Sequence, residues 1–353
     1  MSDLGKSGPS RPPSGRAVRD PLQTFMQGAG LSAIDRPCAR TPGGNLTMSL
    51  IRYIDRTVAA FVASSVFVSP ALAAGKAPIP DFSGIWGRNW FHLEQPPSGP
   101  GPITGKLRNP DGTFNLLGLW VGDFSAPILK PEAAETVRKL GELELNGEVF
   151  PNPHSQCWPE PTPFALGVQL GMQILQQKDE VILLYVADHQ VRHVRMNMPH
   201  PMKVTPSWKG DTVGHYEGDT LVIDTVGQKV GPLSRADAFG TPFSPALHVI
   251  ERYRLIGGEA ARDAQRKHES DFFAGGAAPQ ENDYARGDID PDPKKKGLQV
   301  EITVDDPHMF TTPWKALVTY RHILGEWGEA VCAENTREFG SDGKPPVADK
   351  PDF

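Results

Sequence analysis

Residues 210–227, GDTVGHYEGDTLVIDTVG, contain the tripeptide Gly-Asp-Thr twice, and each copy precedes a run in which apolar and polar residues alternate. A period of two residues is typical of a β-strand with one buried face. Gly210 and Gly218 supply the positive φ that a tight turn needs, and Asp211 and Asp219 are able to accept local backbone hydrogen bonds. We interpret the stretch as a β-hairpin with two turns. A ligand-binding role for the repeat is the alternative.

Similar runs follow one another through the second half of the chain and carry the same strand signal. Short turns rather than helical crossovers join them, which predicts a mostly β fold: an antiparallel meander closed as a lipocalin-like, calycin-type barrel. A β-sandwich is the alternative. The runs are MQILQQKDEVILLYVADHQVRHVRMNM (172–198), ALHVIERYRLI (246–256), GLQVEITVDD (297–306) and WKALVTYRHIL (314–324).

One helix is predicted, in KPEAAETVRKLGEL (130–143). Pro131 suits the first helical position, and Ala134, Val137 and Leu140 fall on one helical face. The rest of the chain is expected to be strands and long loops.

Residues 74–340 are expected to form a single barrel domain. Within it, residues 95–113 are rich in Pro and Gly, which favours a loop. Residues 257–296 are polar, charged and without periodicity, so we expect an insertion there, either a lid or a mobile loop. Residues 341–353 are expected to be a flexible tail.

The composition narrows the class of protein. Gly 36 and Pro 35 of 353 residues favour a turn-rich β protein over a helical bundle. Charged residues make up 22% and the net charge is −6, which suits a globular protein and argues against nucleic acid or an anionic membrane as a partner.

The N-terminus indicates export. Residues 1–47 are rich in Ser, Pro, Gly and Arg, and we expect them to be disordered or not translated. The next 26 residues, 48–73, combine basic Arg52 and Arg56 with an apolar run and an Ala-Leu-Ala cleavage site, as in a signal peptide. A membrane anchor is the alternative, but the run is short and contains Pro70. We therefore expect a periplasmic or secreted protein without a stable membrane anchor.

Two cysteines follow the expected cleavage site, Cys157 and Cys332, whereas Cys38 precedes it. In an oxidising compartment an even pair favours a disulfide, which would close a long loop and stabilise the fold by roughly 4–5 kcal/mol. A metal thiolate pair or a catalytic cysteine is the alternative.

Glu251 is the principal candidate for proton transfer. In ALHVIERYRL it shares a face with Val249 and Tyr253, so it is a carboxylate within an apolar row. Removal from water would raise its pKa and suit a general acid or base. The alternative is a structural ion pair, with Arg195 or Arg252 as the partner.

In QVRHVRMNM, His193, Arg195 and Asn197 share a face, which indicates a wet pocket. His193 is a candidate proton carrier because imidazole titrates near neutral pH, and Arg195 is a candidate for stabilising a developing anion. Asn197 would contact substrate. For each histidine, a structural role is the alternative.

A metal site is a further alternative, and its ligands would come from His189, His193, His200 and His215, with Asp219 or Asp224. His189 and His193 lie about 13 Å apart on an unbroken strand, too far for one metal without a bend. His200 precedes Pro201 and is either a ligand, a substrate contact or a turn residue.

Aromatic side chains are candidates for lining a pocket for an apolar or aromatic ligand, although a core position is the alternative. The candidates are Trp208, Tyr216, Tyr253, Trp314 and Trp158. The chain has no Gly-x-Ser-x-Gly, His-Glu-x-x-His, P-loop or Gly-x-Gly-x-x-Gly motif, which disfavours serine hydrolases, zincins and nucleotide enzymes.

Three segments together resemble a large family of exported bacterial proteins: HPMKVTPSWKGDTVGHYEGDTLVIDT; GTPFSPALHVIERYRL with VEITVDDPHMFTTPW; and CAEN. The resemblance spans most of residues 80–340 and implies a lipocalin-like barrel without implying a reaction. The chain departs from the family pattern in the 257–296 segment, at Tyr216, where tryptophan is more usual, and in Cys332-Ala333-Glu334-Asn335.

These observations favour an exported barrel whose interior holds a small, largely apolar or aromatic molecule. The leading hypothesis is an acid–base enzyme without an organic cofactor (a lyase, isomerase or hydrolase) that uses Glu251, His193 and Arg195. A carrier without chemistry is the alternative, and a metal-dependent enzyme is the second alternative. Titratable groups that converge in the site would favour an enzyme, and an apolar lining would favour a carrier.

Overall fold

The computed structural model describes the greater part of residues 78–325, and the fold is that of this part of the chain. All of it belongs to one compact unit, Ala74–Phe353. The predicted leader (1–47), signal peptide (48–73) and tail (341–353) lie outside the described residues. Those residues are 78–88, 91–106, 120–148, 153, 157–168, 170–187, 189–272 and 289–325.

Nine strands form a closed barrel in which each strand pairs with the next along the chain and β9 pairs with β1. The prediction of a mostly β, closed barrel is confirmed; a lipocalin barrel has eight strands. The strands are β1 Gly84–Gly87, β2 Met172–Gln176, β3 Glu180–Tyr185, β4 Val191–Met196, β5 Asp211–Glu217, β6 Thr220–Val226, β7 His248–Ile256, β8 Gly297–Asp305 and β9 Trp314–His322.

The barrel is not wholly an antiparallel meander, because β4 and β5 pair in parallel, with Arg195 opposite Val213. A parallel pair needs a long connection that returns the chain to the same end of the sheet. Residues 197–210 provide it, and their three prolines cannot donate ladder hydrogen bonds, so the segment crosses outside the sheet.

The predicted helix is confirmed as α1, Pro131–Leu145, with Pro131 in its first turn. Its buried face consists of Ala133, Val137 and Gly141, one position away from the predicted Ala134 and Leu140. A short α2, Phe164–Gly167, follows in the loop before β2.

The prediction of an aperiodic loop throughout 257–296 is wrong, because α3 occupies Gly258–Phe272. Its buried positions are Gly258, Ala261, Gln265 and His268, and they follow helical spacing. None carries a large apolar side chain, so hydrophobic periodicity could not reveal the helix. The helix packs against β8 and β9, and the Gln265 amide donates to the carbonyl of Thr319 at 3.0 Å.

Residues 158–167, which we call the cap segment, are held against the barrel near the start of β4, the start of β5 and the end of β6. Two glutamine side chains bind its backbone. The Gln190 carbonyl accepts from the amide of Glu160 at 3.0 Å, and Gln228 bonds both the amide and the carbonyl of Thr162 at 2.7 Å. The ammonium of Lys209 donates to the carbonyl of Glu160 at 2.6 Å.

The hairpin predicted for residues 210–227 forms, with β5 and β6 as its two strands. Gly210 and Gly218 have φ of 72° and 63°, and β5 pairs with β6 around Gly218. Asp219 accepts from the hydroxyl of Thr220 at 3.1 Å, a local bond within the turn.

We expect Gly218→Ala to lower the free energy of unfolding by about 1 kcal/mol, because a Cβ is disfavoured at positive φ. No other atom lies within 4 Å of the added Cβ, so backbone strain is the only cost. Urea unfolding would measure it. Gly218→Asn is the matched control and should lose less, since asparagine tolerates this conformation. An equal loss in both variants would contradict the strain argument.

Candidate functional site

Glu251 lies inside the barrel, as predicted, and is fully buried. Its partner is Arg192 of β4, rather than Arg195 or Arg252. The guanidinium binds both carboxylate oxygens: Nη2 is 2.7 Å from Oε1, and Nη1 is 3.1 Å from Oε2. Both side chains have no exposed surface, so the pair is isolated from water.

Hydroxyl groups complete the coordination of this pair. Tyr253 donates to Oε2 of Glu251 at 2.6 Å. The remaining capacity of the Arg192 guanidinium is satisfied by three oxygens, so this buried cation lacks no partner. They belong to Tyr185 at 3.4 Å, Thr212 at 3.4 Å and Thr225.

Burial and neighbouring charges determine which side chains around Glu251 are protonated. Burial lowers the pKa of Arg192, but the attraction of Glu251 outweighs it, so that the pKa is raised overall. Burial raises the pKa of Tyr253 well above its ordinary value, and the charge of Glu251 raises it further. Burial also raises the pKa of Tyr185. At neutral pH the arginine is therefore charged and both phenols keep their protons.

The structure does not bring His193 or Arg195 to Glu251. In β4 Arg192 points into the barrel, so His193 and Arg195 lie on the outer face. His193 is exposed and its Nδ1 is 2.7 Å from Glu180. Asn197 lies at an exposed turn with a φ of 57°, also outside the interior.

Arg195 belongs instead to a group on the outer wall of the barrel. It donates twice to Asp211, at 2.8 and 2.9 Å, and Nδ1 of His200 is 2.6 Å from the same carboxylate. Asp224 lies beside them, 3.2 Å from Nε2 of His200 and 2.8 Å from Nε2 of His248. We call these five residues the outer-wall cluster. Asp211 therefore binds side chains, whereas we expected it to bind its own turn.

The outer-wall cluster shifts the acidity of its members. Hydrogen bonds from Arg195, and then from His200, lower the pKa of Asp211. Burial raises the pKa of Asp224, but the hydrogen bond and charge of His248 outweigh it, and the net shift is downward. The hydrogen bond to Asp224 raises the pKa of His248.

The four histidines considered as metal ligands are not gathered at one point. His189 lies in an exposed turn, His193 and His215 pair with different glutamates, and His200 belongs to the outer-wall cluster. Among the described residues, no group of three or more His, Cys, Asp or Glu side chains is arranged to hold a metal ion.

The candidate aromatic residues divide between core and surface. Tyr253 and Trp314 are buried in the core, and Trp314 packs edge-on against Phe310 with ring centroids 5.6 Å apart. Tyr216 is partly buried, and its hydroxyl accepts from Gln176 at 2.9 Å. Trp208 lies outside the core, 5.1 Å from the ring of Trp158.

A cleft of about 430 Å³, which we call the apolar cleft, lies between three segments outside the barrel. Backbone bonds join the segments: Thr311 donates to Ile128 at 2.9 Å, and Lys315 donates to Pro100 at 3.0 Å. Among the described residues that line the cleft, none has an ionisable side chain. They are Gln95, Pro100, Gly101, Pro102, Ile103, Thr104, Ala126, Pro127, Ile128, Thr311 and Thr312.

A second, smaller space of about 10 Å³, which we call the inner gap, shares Pro102 and Ile103 with the apolar cleft. Its polar side chains are His92 and Asp237, and the ring of His92 stacks on Phe239 with centroids 4.5 Å apart. Burial raises the pKa of Asp237. Neither residue was predicted from the sequence as part of a site. The one indication was Asp237, an acidic residue within the otherwise apolar loop sequence ADAFG.

The predicted disulfide falls partly outside the described residues, and the segment considered as a membrane anchor, residues 48–73, falls wholly outside them. Cys157 is described and Cys332 is not, so the disulfide between them stays a prediction. Within the described residues, no helix has both the length and the apolar character needed to cross a membrane.

Neither protein-family models, nor curated proteins, nor solved structures include a match to this chain. The resemblance to exported bacterial proteins therefore remains a prediction from the sequence.

We expect Glu251→Gln to lower the free energy of unfolding by about 3–5 kcal/mol, because Arg192 would remain charged and buried without its partner. Denaturant unfolding would measure the loss. In the double variant Arg192→Met, Glu251→Leu, the loss should be smaller than the sum of the two single losses.

The control for this experiment is Glu217→Gln, which removes the exposed ion pair with Arg252 and should change the free energy of unfolding little, because solvent screens the pair. If Glu251→Gln lost no more unfolding free energy than this control, the buried pair would not be what stabilises the fold. Glu251 would then be available for a chemical role.

The raised pKa of His248 predicts a pH dependence of stability. The pKa of His248 in the folded protein is above its ordinary value of 6.5. Its protonated form therefore stabilises the fold fully below pH 6.5, and this contribution disappears as the pH rises through the pKa of the folded state. His248→Gln should therefore be destabilising near pH 5.5 and close to neutral near pH 9, by less than about 1 kcal/mol because the side chain is 40% exposed. Urea unfolding at both pH values would test this. In an Asp224→Asn background, the effect of His248→Gln on stability should differ little between the two pH values. If the difference is as large as in the wild-type background, Asp224 is not its cause.

Proposed function

We propose that this protein is an exported small-molecule-binding protein and that its ligand, an uncharged and largely apolar molecule, occupies the apolar cleft. The observation that supports this most directly is the cleft itself. Its volume of about 430 Å³ falls in the range of roughly 300–1,000 Å³ that is usual for ligand sites, and none of its described lining residues has an ionisable side chain.

The neutral lining restricts the chemistry of the ligand. A charged molecule would lose water on entering the cleft and find no opposite charge there, which costs several kcal/mol. Several carbonyl groups around the cleft already accept hydrogen bonds, including Pro102 from Gln95 at 2.9 Å and Pro127 from Thr311 at 2.9 Å. The hydroxyl of Thr312 and the apolar surfaces of Ile103 and Ile128 remain as contacts.

The barrel interior supports a ligand site less well. Glu251 and Arg192 satisfy each other, and their surroundings are fully buried. A ligand there would have to separate a buried ion pair or displace core side chains, and both are costly.

Export is the part of this proposal that derives from the sequence. Residues 48–73 have the charge, apolar run and cleavage site of a signal peptide, and the cysteine pair that follows suits an oxidising compartment. A periplasmic or secreted location would give the binding cleft access to molecules outside the cytoplasm.

An acid–base enzyme is the second candidate. It draws on the convergence of titratable groups, since Tyr253 donates to Glu251 at 2.6 Å beside Arg192. Substrate would have to reach this network past the cap segment. The Glu251→Gln unfolding experiment separates the two candidates, because a large loss of stability assigns the carboxylate to the fold.

The uncharged fluorescent probe N-phenyl-1-naphthylamine would test the cleft. We expect the wild type to bind it, and Thr312→Trp, which places an indole in the cleft from an exposed position, to weaken binding by at least about tenfold. Fluorescence titration would measure both affinities.

Thr205→Trp is the matched control, since Thr205 is exposed in the β4–β5 connection and does not line the cleft. Its affinity should stay within about twofold of the wild type. Failure of the wild type to bind the probe, or equal binding by Thr312→Trp, would contradict the proposed function.

A further inference from the structure

We propose that the ligand of the apolar cleft carries an uncharged hydrogen-bond donor, a hydroxyl or an aromatic amine, which passes Ile103 into the inner gap and binds the carboxylate of Asp237. This inference builds on the proposed function, because it concerns the same ligand. It names the donor group at one end of that ligand and identifies Asp237 as the residue that recognises this group.

Asp237 has acceptor capacity that the fold does not use. Its Oδ1 accepts from the amides of Phe239 at 2.9 Å and Thr241 at 3.1 Å. An ionised carboxylate has about four acceptor positions on its two oxygens. No cation among the described residues lies within ion-pair distance of Asp237; Arg235 is near, but its Nη1 donates to carbonyls of Pro232 and Ser234.

The inner gap sets the size of the group that enters. Its volume of about 10 Å³ is close to the minimum that holds one water molecule, and so one hydroxyl or amino group. Leu93, Phe164 and Phe239 make most of its wall apolar. A group that leaves water for this gap must recover a hydrogen bond there, and the carboxylate of Asp237 is the strong acceptor.

Ile103 separates the two spaces. It lines both of them, and it is 95% buried, with 5% of its surface exposed. Its Cδ1 lies 2.9 Å from the position that a Cβ on Gly122 would take, which places the end of the side chain in a tightly packed wall. A ligand body in the cleft therefore reaches Asp237 only when this side chain moves, and shortening it should ease the passage.

A purely structural role for Asp237 makes a different prediction. Its two backbone bonds hold the turn at residues 237–241, and an asparagine carbonyl would keep both. Asp237→Asn therefore preserves the turn while it replaces the charged acceptor with an amide. A structural role predicts no change in ligand preference, whereas recognition of a donor predicts a loss of preference.

Competition between N-phenyl-1-naphthylamine and a matched pair of molecules, 2-naphthol and 2-methylnaphthalene, would distinguish the two roles. The pair differs in the donor and has nearly the same apolar body. We expect the wild type to prefer 2-naphthol by about tenfold, and Asp237→Asn to reduce that preference to about twofold or less. Asp263→Asn, on the exposed face of α3, is the control and should keep the wild-type preference.

Ile103→Ala provides an independent variant if Asp237→Asn does not fold. Because the alanine opens the passage, the preference for 2-naphthol should increase by about threefold or more relative to the wild type. An unchanged preference in Ile103→Ala, or a tenfold preference retained in folded Asp237→Asn, would overturn the inference and leave the proposed function standing. Failure of all three probes to bind the wild type would overturn the proposed function, and this inference with it.

Discussion

The ion pair between Arg192 and Glu251 lies at full depth inside the barrel, and the arrangement of several strands follows from it. Two charges removed from water are stable only while each satisfies the other. The pair therefore connects β4 to β7 across the interior, although these strands are not neighbours in the sheet. It also decides which face of β4 is internal. Once Arg192 points inward, Arg195 must point outward, where it meets Asp211 and begins the outer-wall cluster.

The barrel in this protein acts as a frame, and its connections form the candidate site. The apolar cleft is built from segments that precede α1 and that join β8 to β9, and the inner gap adds residues from the β6–β7 connection. Backbone bonds from β9 and its flanking residues hold these segments in place. The barrel interior is filled by apolar side chains and the buried ion pair, whereas the apolar cleft lies outside it.

Strand periodicity predicted the barrel because Leu, Val and Ile alternate with polar residues in β8, and it correctly placed Glu251 inside. It failed for β4, where VRHVRM has polar residues at both parities, so the sequence could not show which arginine was internal. It failed for α3 because its buried side is small or polar. The apolar cleft and Asp237 were beyond reach for another reason: their lining residues are far apart in the chain and meet only through tertiary contacts.

The pairing of β1 with β9 has a consequence for how the chain reaches this state. The two strands are the first and the last of the barrel, and they meet at only two register positions, Trp86 opposite His322 and Gly87 opposite Arg321. Closure thus waits until both ends of the domain are present, which places a contact of very long sequence separation late in folding. Until then the neighbouring strands have open edges, and such edges pair readily with other chains. The chain is therefore open to aggregation at this seam, which two register positions close.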